Sequence, residues 1–246
     1  MDAPWPAFHP VQSLEPSAPA VADVSAAAQE AVRHAAVGWD IPAGAPVAIG
    51  VGSRGISNYP TLVRAVVSVL KERGAKPFIV PAMGSHGGAT AEAQQNVLAK
   101  AGIHERAVGA PVISSMETVR VGATPSGIEV FMDRHAHEAG RVILINRVKQ
   151  HTSFVACVES GLLKMLSIGL GKLDGAKQYH SAAMRIGFET ALLEMGRLLL
   201  AGGKIVGGLA SIENDRHQTA GVFSTRSKST RLNSSHIQKS RMPSSA

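Results

Sequence analysis

The sequence predicts an α/β domain with a mostly parallel sheet and helices on both faces. Two observations carry this. Short apolar runs alternate with apolar stripes at helical spacing from residue 42 onward, the pattern of repeated strand–loop–helix units. One run, residues 142–146 (VILIN), is continuously apolar, as a strand covered on both faces must be. The composition is globular: 45% of residues are apolar and only 4% aromatic, so Ala, Val, Leu and Ile must fill the core.

Taken in order, residues 1–20 are rich in Pro and Ala and read as a disordered arm. A helix is predicted over residues 22–37. Residues 47–51 (VAIGV) form a first strand. Pro60 suits the first turn of a helix whose buried stripe is Leu62, Val63, Val66, Val67 and Leu70, and Gly74 ends it. Residues 77–81 (PFIVP) form the second strand, followed by the loop GSHGGA and a helix capped by Thr90 that runs to Lys100. Residues 112–115 are a third strand candidate, and residues 125–133 (PSGIEVFMD) read as a turn and strand. After VILIN, helices are predicted over 161–168 and from 175 to about 200, and a last strand over 204–210. The α/β domain is thus expected over residues 21–222, with a disordered basic tail over 223–246.

Charge excludes less than it first suggests. The net charge is +7, but residues 224–246 hold Arg226, Lys228, Arg231, Lys239 and Arg241 and no acidic residue. The remainder carries 20 basic against 18 acidic residues, which gives no electrostatic case for nucleic acid. With eight serines and no apolar period, the tail resembles vector-derived read-through rather than native sequence. The single cysteine, Cys157, fits a reducing compartment. No apolar run is long enough to span a bilayer and no secretory leader is evident, so a cytoplasmic location is expected.

In sheets of this kind ligands bind beyond the carboxyl ends of the strands. Arg54 lies three residues after the first strand, His86 five after the second and His151 five after VILIN, so all three should emerge at one rim. Gly87 and Gly88 after His86 permit close backbone approach to an anion such as phosphate. Lys164 interrupts the apolar run LLKML, where burial would make its amine nucleophilic. Against these stand plainer readings: a solvated arginine, exposed loop histidines, a lysine snorkelling at a helix edge. His86, His151 and His180 could also form a zinc triad, though their spacing matches no short zinc signature. GVGSRG (residues 50–55) satisfies G-x-G-x-x-G, the alternative being an NAD(P)-dependent oxidoreductase. The helix opens too late for a pyrophosphate to sit on its N-terminus, and the second strand ends without an acidic residue for a ribose. A non-catalytic nucleotide- or metal-binding module is a third reading.

The residues in GSRGISNYP, PAMGSHGGAT, VKQHTSF, ESGLLKML and KQYHSA together resemble the nickel-dependent, nickel-pincer-nucleotide lactate racemase family over about residues 45–222. The resemblance implies the N-terminal domain of a two-domain isomerase whose C-terminal domain is missing here. It implies a nickel-pincer nucleotide as cofactor, cofactor-biosynthesis enzymes as partners and a small 2-hydroxy acid as substrate. By the same resemblance Arg54 binds substrate, His86 and His151 are the catalytic bases, Lys164 tethers the cofactor and His180 binds nickel. Two departures qualify it. Gly87 stands where the family has a basic residue, and the stretch from His151 to Lys164 is slightly long, which makes Lys172 a competing tether.

Overall fold

A computed structural model describes residues 17–53, 55–149 and 160–226. The chain begins with helix α1 (Val24–Ala36), whose first turn is capped by the Asp23 side chain accepting from the Ala26 amide. Strand β1 (Pro46–Val51) leads into helix α2 (Tyr59–Glu72), with Pro60 in its first turn as predicted. Strand β2 (Lys76–Pro81) is followed by a short 3₁₀ turn (Gly87–Ala89) and helix α3 (Ala91–Lys100), where the Thr90 hydroxyl accepts from the Ala93 amide. A four-residue helix α4 (Glu105–Val108) precedes a hairpin of β3 (Thr118–Ala123) and β4 (Glu129–Asp133). Then come α5 (Arg134–Ala139), β5 (Val142–Arg147) and α6 (Leu162–Lys164). The last of these continues as a π turn (Met165–Gly169) into α7 (Lys172–Ile186). Helix α8 (Phe188–Ala201) and strands β6 (Ile205–Glu213) and β7 (Thr219–Arg226) complete the described residues.

The main sheet has the order β2-β1-β5-β6-β7. Its first four strands are parallel and β7 returns antiparallel to β6. Successive side chains on a strand point to opposite faces, and the two cores divide accordingly. Val47, Ile49 and Val51 of β1, with Ile143 and Ile145 of β5, pack with α1 and α2. Ala48, Val142 and Leu144 face the other way, into Leu162, Leu166, Leu192 and Met195 of the α6–α8 layer. Each fully buried Leu or Ile on these faces contributes roughly 1.5–3 kcal/mol. The predicted fold class is therefore the observed one.

Several boundaries differ from the sequence reading, each for a local reason. Residues 112–115 do not form a strand; Val112 makes a single parallel bridge with Ile79. Strand β3 has no buried residue and pairs only with β4, so it lacks an apolar signature. The helix predicted from 175 to about 200 is two helices, broken at Gly187, which adopts φ 86°, ψ 151°, a conformation only glycine takes readily. Strand β7 was not anticipated and carries ordered structure to Arg226, into the region read as tail. Its pairing with β6 and the bond from Trp39 Nε1 to the Thr225 carbonyl hold it there.

Candidate functional site

Strand β1 has β2 on one side and β5 on the other, so chain direction across the sheet reverses between β1 and β5. Such a switch point opens a crevice at the carboxyl ends of the strands. A cleft of about 370 Å³ lies there, lined by Gly52 and Ser53 after β1, Ala82 to His86 after β2, Asn146, Arg147 and Lys149 at the end of β5, and Lys164, Ile168 and His180 from the α6–α7 layer. His86, Lys164 and His180, grouped from sequence, thus meet at one cavity. Arg54 and His151 lie outside the described residues, as does Cys157. Gly87 and Gly88 form the turn behind His86 and do not line the cleft; both have positive φ, and a Cβ on Gly87 would lie 3.2 Å from the α3 backbone.

Local packing explains why these groups converge. The π turn approaches the end of β2 closely, because a Cβ on Gly169 would stand 2.5 Å from the Ala82 carbonyl oxygen. The Gly84 amide donates to the Gly169 carbonyl at 3.1 Å, joining the His86 loop to the Lys164 segment. π turns inside helices often occur at functional positions because they redirect side chains. Lys164 is half-buried at the cleft, and His180 is exposed on α7 with its ring edge-on to Tyr179.

Lys172, the competing tether, is elsewhere. It is fully buried, 3.1 Å from the equally buried Asp133, and donates to the Pro81 carbonyl. Burial pushes its amine below the usual lysine range, and the Asp133 carboxylate opposes that shift. It does not line the cleft.

Other residues at this rim gave no signal in the sequence. The buried Tyr59 hydroxyl accepts from the Gly52 amide at 2.7 Å and donates to the Ile145 carbonyl at 3.3 Å, tying the ends of β1 and β5 together. Burial raises its pKa well above the ordinary tyrosine value, so it remains a donor. This bond also occupies a glycine amide that a G-x-G-x-x-G loop would offer to a pyrophosphate. Glu213, at the end of β6, pairs with Arg147 and accepts from the Ser57 amide at 2.8 Å. The Ser160 hydroxyl bonds both the amide and carbonyl of Lys149, and Asn146 Nδ2 reaches the Gly161 carbonyl at 2.9 Å. Ser53 Oγ lies 2.5 Å from His86 Nδ1. Among the described residues no group of three or more His, Cys, Asp or Glu side chains is arranged to hold a metal ion, and no helix is long and apolar enough to cross a membrane.

The comparisons with known proteins agree with this architecture. No curated protein matches the chain by sequence. Among solved structures, the lactate racemase apoprotein from Thermoanaerobacterium thermosaccharolyticum is similar, with a TM-score of 0.59 at 15% identity over 86% of this chain, a likeness of fold. The chain spans 55% of the length of that protein. The family model described as the lactate racemase N-terminal domain matches residues 44–190, a stretch that contains β1, β2, β5 and every element lining the cleft. On that match the chain belongs to the lactate racemase N-terminal domain family.

Proposed function

We propose that this domain belongs to a racemase or epimerase of a small 2-hydroxy acid. The observation that carries the reading is the meeting of His86, Lys164 and His180 at one cleft, at the switch point of a lactate racemase-type fold. The donor set fits a nickel-pincer nucleotide better than a bare ion. His180 on the cleft would give nickel an imidazole, and the organic group itself would supply the remaining donors. Lys164, half-buried at the cavity, would hold that group covalently, and His180 would bind its nickel. When bound, this cofactor supplies the centre that accepts and returns a hydride.

The chain's own residues handle the proton and the carboxylate. Inverting a hydroxyl-bearing carbon through a planar 2-oxo acid requires a base for each enantiomer, and His86 and His151 would take these roles. Imidazole suits both directions, since its ordinary pKa lies near neutrality. Arg54 would grip the substrate carboxylate in a bidentate pair. Its neighbours in sequence, Ser53 and Ile56, line the cleft, which supports that assignment. Apolar Met83, Met165 and Ile168 on the cleft wall would limit water around the reacting carbon. The enzymes that build the cofactor would be the protein's partners, and the cytoplasm its compartment.

The test is made on the complete protein, co-expressed with cofactor-producing enzymes. His86→Ala and His151→Ala should each lower isotope exchange at the substrate carbon by at least about 100-fold. Retained exchange in both single variants overturns the reading. Intact-mass mapping should place the adduct on Lys164.

A further inference from the structure

His86 is held from two directions by residues that no motif identifies. At its ring, Ser53 Oγ meets Nδ1 at 2.5 Å. At its backbone, Gln94 of α3 donates from Nε2 to the Gly84 carbonyl at 2.9 Å and to the His86 carbonyl at 3.1 Å. Gln94 is fully buried, and its Oε1 has no hydrogen-bond partner among the described residues. A buried acceptor left unsatisfied weakens a fold. A leucine or methionine there would fill similar space without the unsatisfied oxygen, but would give up both bonds to the turn. The amide is retained at a cost, and its two donors go to the turn that carries His86.

We propose that Ser53 and Gln94 are positioning residues for His86: Ser53 accepts the Nδ1 proton so that the ring offers an unprotonated Nε2, and Gln94 fixes the turn beneath it. The inference rests on His86 serving as an acid/base group. A neutral imidazole has one donor and one acceptor nitrogen, and the hydrogen bond at one nitrogen decides what the other does. Imidazole in water favours the Nε2–H form, the wrong one for a base acting through Nε2. A hydroxyl at Nδ1 corrects this without bringing a carboxylate beside the ring. Among the described residues, the other titratable groups lining the cleft are Arg147, Lys149, Lys164 and His180, with Glu213 bound to Arg147 at its edge.

The first test needs no cofactor. NMR of the purified protein labelled with ¹⁵N-histidine reads the tautomer of His86, identified by its loss in His86→Gln. The wild type should show protonated Nδ1 above the titration. Ser53→Ala should move His86 towards the Nε2–H form, and Ser53→Thr should keep the wild-type pattern. Gln94→Leu removes both bonds to this turn, so it should lower Tm by several degrees and also shift the His86 ring signals. In turnover, Ser53→Ala and Gln94→Leu should each lower kcat roughly tenfold or more while KM changes less than about twofold, the split expected when a reacting group is misplaced. A wild-type His86 in the Nε2–H form overturns the proposal, as do His86 signals unchanged in Ser53→Ala. Absence of exchange in the wild type bears on the racemase reading alone, because the NMR measurement decides the positioning without it.

Discussion

Two lysines in one glycine-rich segment have opposite surroundings. Lys164 sits where α6 passes into the π turn, half-buried, with its side chain on the cleft. Lys172 opens α7 with φ 52°, fully buried between the Pro81 carbonyl and Asp133. From the sequence Lys164 stood out as a cation in an apolar run, and Lys172 competed with it because the stretch from His151 to Lys164 is slightly long for the family. The structure separates them by what surrounds the amine. A buried cation needs a buried anion and is then committed to the fold. An amine at the edge of a cavity keeps its reach into it. The pair around Lys172 also joins three elements, since Asp133 ends β4, caps α5 by accepting from the Ala136 amide, and meets the start of α7 beside the end of β2.

The sharpest way to break this contrast is Lys172→Met. It leaves Asp133 as an unpaired charge at zero exposure, which should cost about 3–5 kcal/mol. Urea denaturation of the purified protein measures it. Lys172→Met combined with Asp133→Leu should recover much of the loss by removing the orphaned carboxylate, less about 1 kcal/mol for the missing α5 cap. If the single variant is as stable as wild type, Lys172 is not the structural member of the two.

How much of this was legible without coordinates depends on which physical signal each element carries. β1, β2 and β5 were readable because strands covered on both faces are apolar throughout. β3 was not, since it pairs with one partner and buries nothing fully. β7 buries only Thr219 and Gly221 fully, so it carries no apolar signature, and its pairing with β6 holds it in the sheet. His86 could be placed because it follows a strand end, and Lys164 because it interrupts an apolar run; His180 joined them only through the family resemblance. Ser53, Tyr59 and Gln94 were invisible because their importance lies in individual hydrogen bonds across the fold, which no spacing or apolar period announces. Lys172 shows the limit in the other direction: segment length made it a rival of Lys164, and its buried pair with Asp133, distant in sequence, tells them apart.

Glycines in the same segment allow a second, smaller break. Gly169→Ala would place a methyl 2.5 Å from the Ala82 oxygen and 2.9 Å from its carbon, backbone atoms that cannot rotate away. Overpacking of this kind costs about 1–3 kcal/mol. The displaced wall is the one that carries Ala82 to His86, so binding at the cleft should weaken along with stability. Thermal unfolding measures the first effect, and calorimetric titration with the isolated cofactor measures the second. An alanine tolerated at 169 would mean the π turn does not depend on this approach.

The smallest effects sharpen the comparison most, because they have opposite signs or none. Gly175 lies inside α7, and a Cβ there would meet the Ser167 and Ile168 carbonyl oxygens at 3.5 and 3.7 Å, ordinary contact distances. Gly175→Ala should therefore gain up to about 1 kcal/mol from helix propensity, the reverse of Gly169→Ala six residues earlier. Lys164→Ala should change stability by less than about 1 kcal/mol, as expected for truncating a half-buried side chain at the edge of a cavity. In the complete, cofactor-loaded protein the same variant should lose the covalent adduct and its activity together. A lysine whose removal leaves the fold intact and abolishes the adduct is functional, whereas one whose removal unfolds the domain is structural. Denaturation and intact-mass measurements on Lys164→Ala and Lys172→Met, made side by side, assign the two roles without reference to sequence.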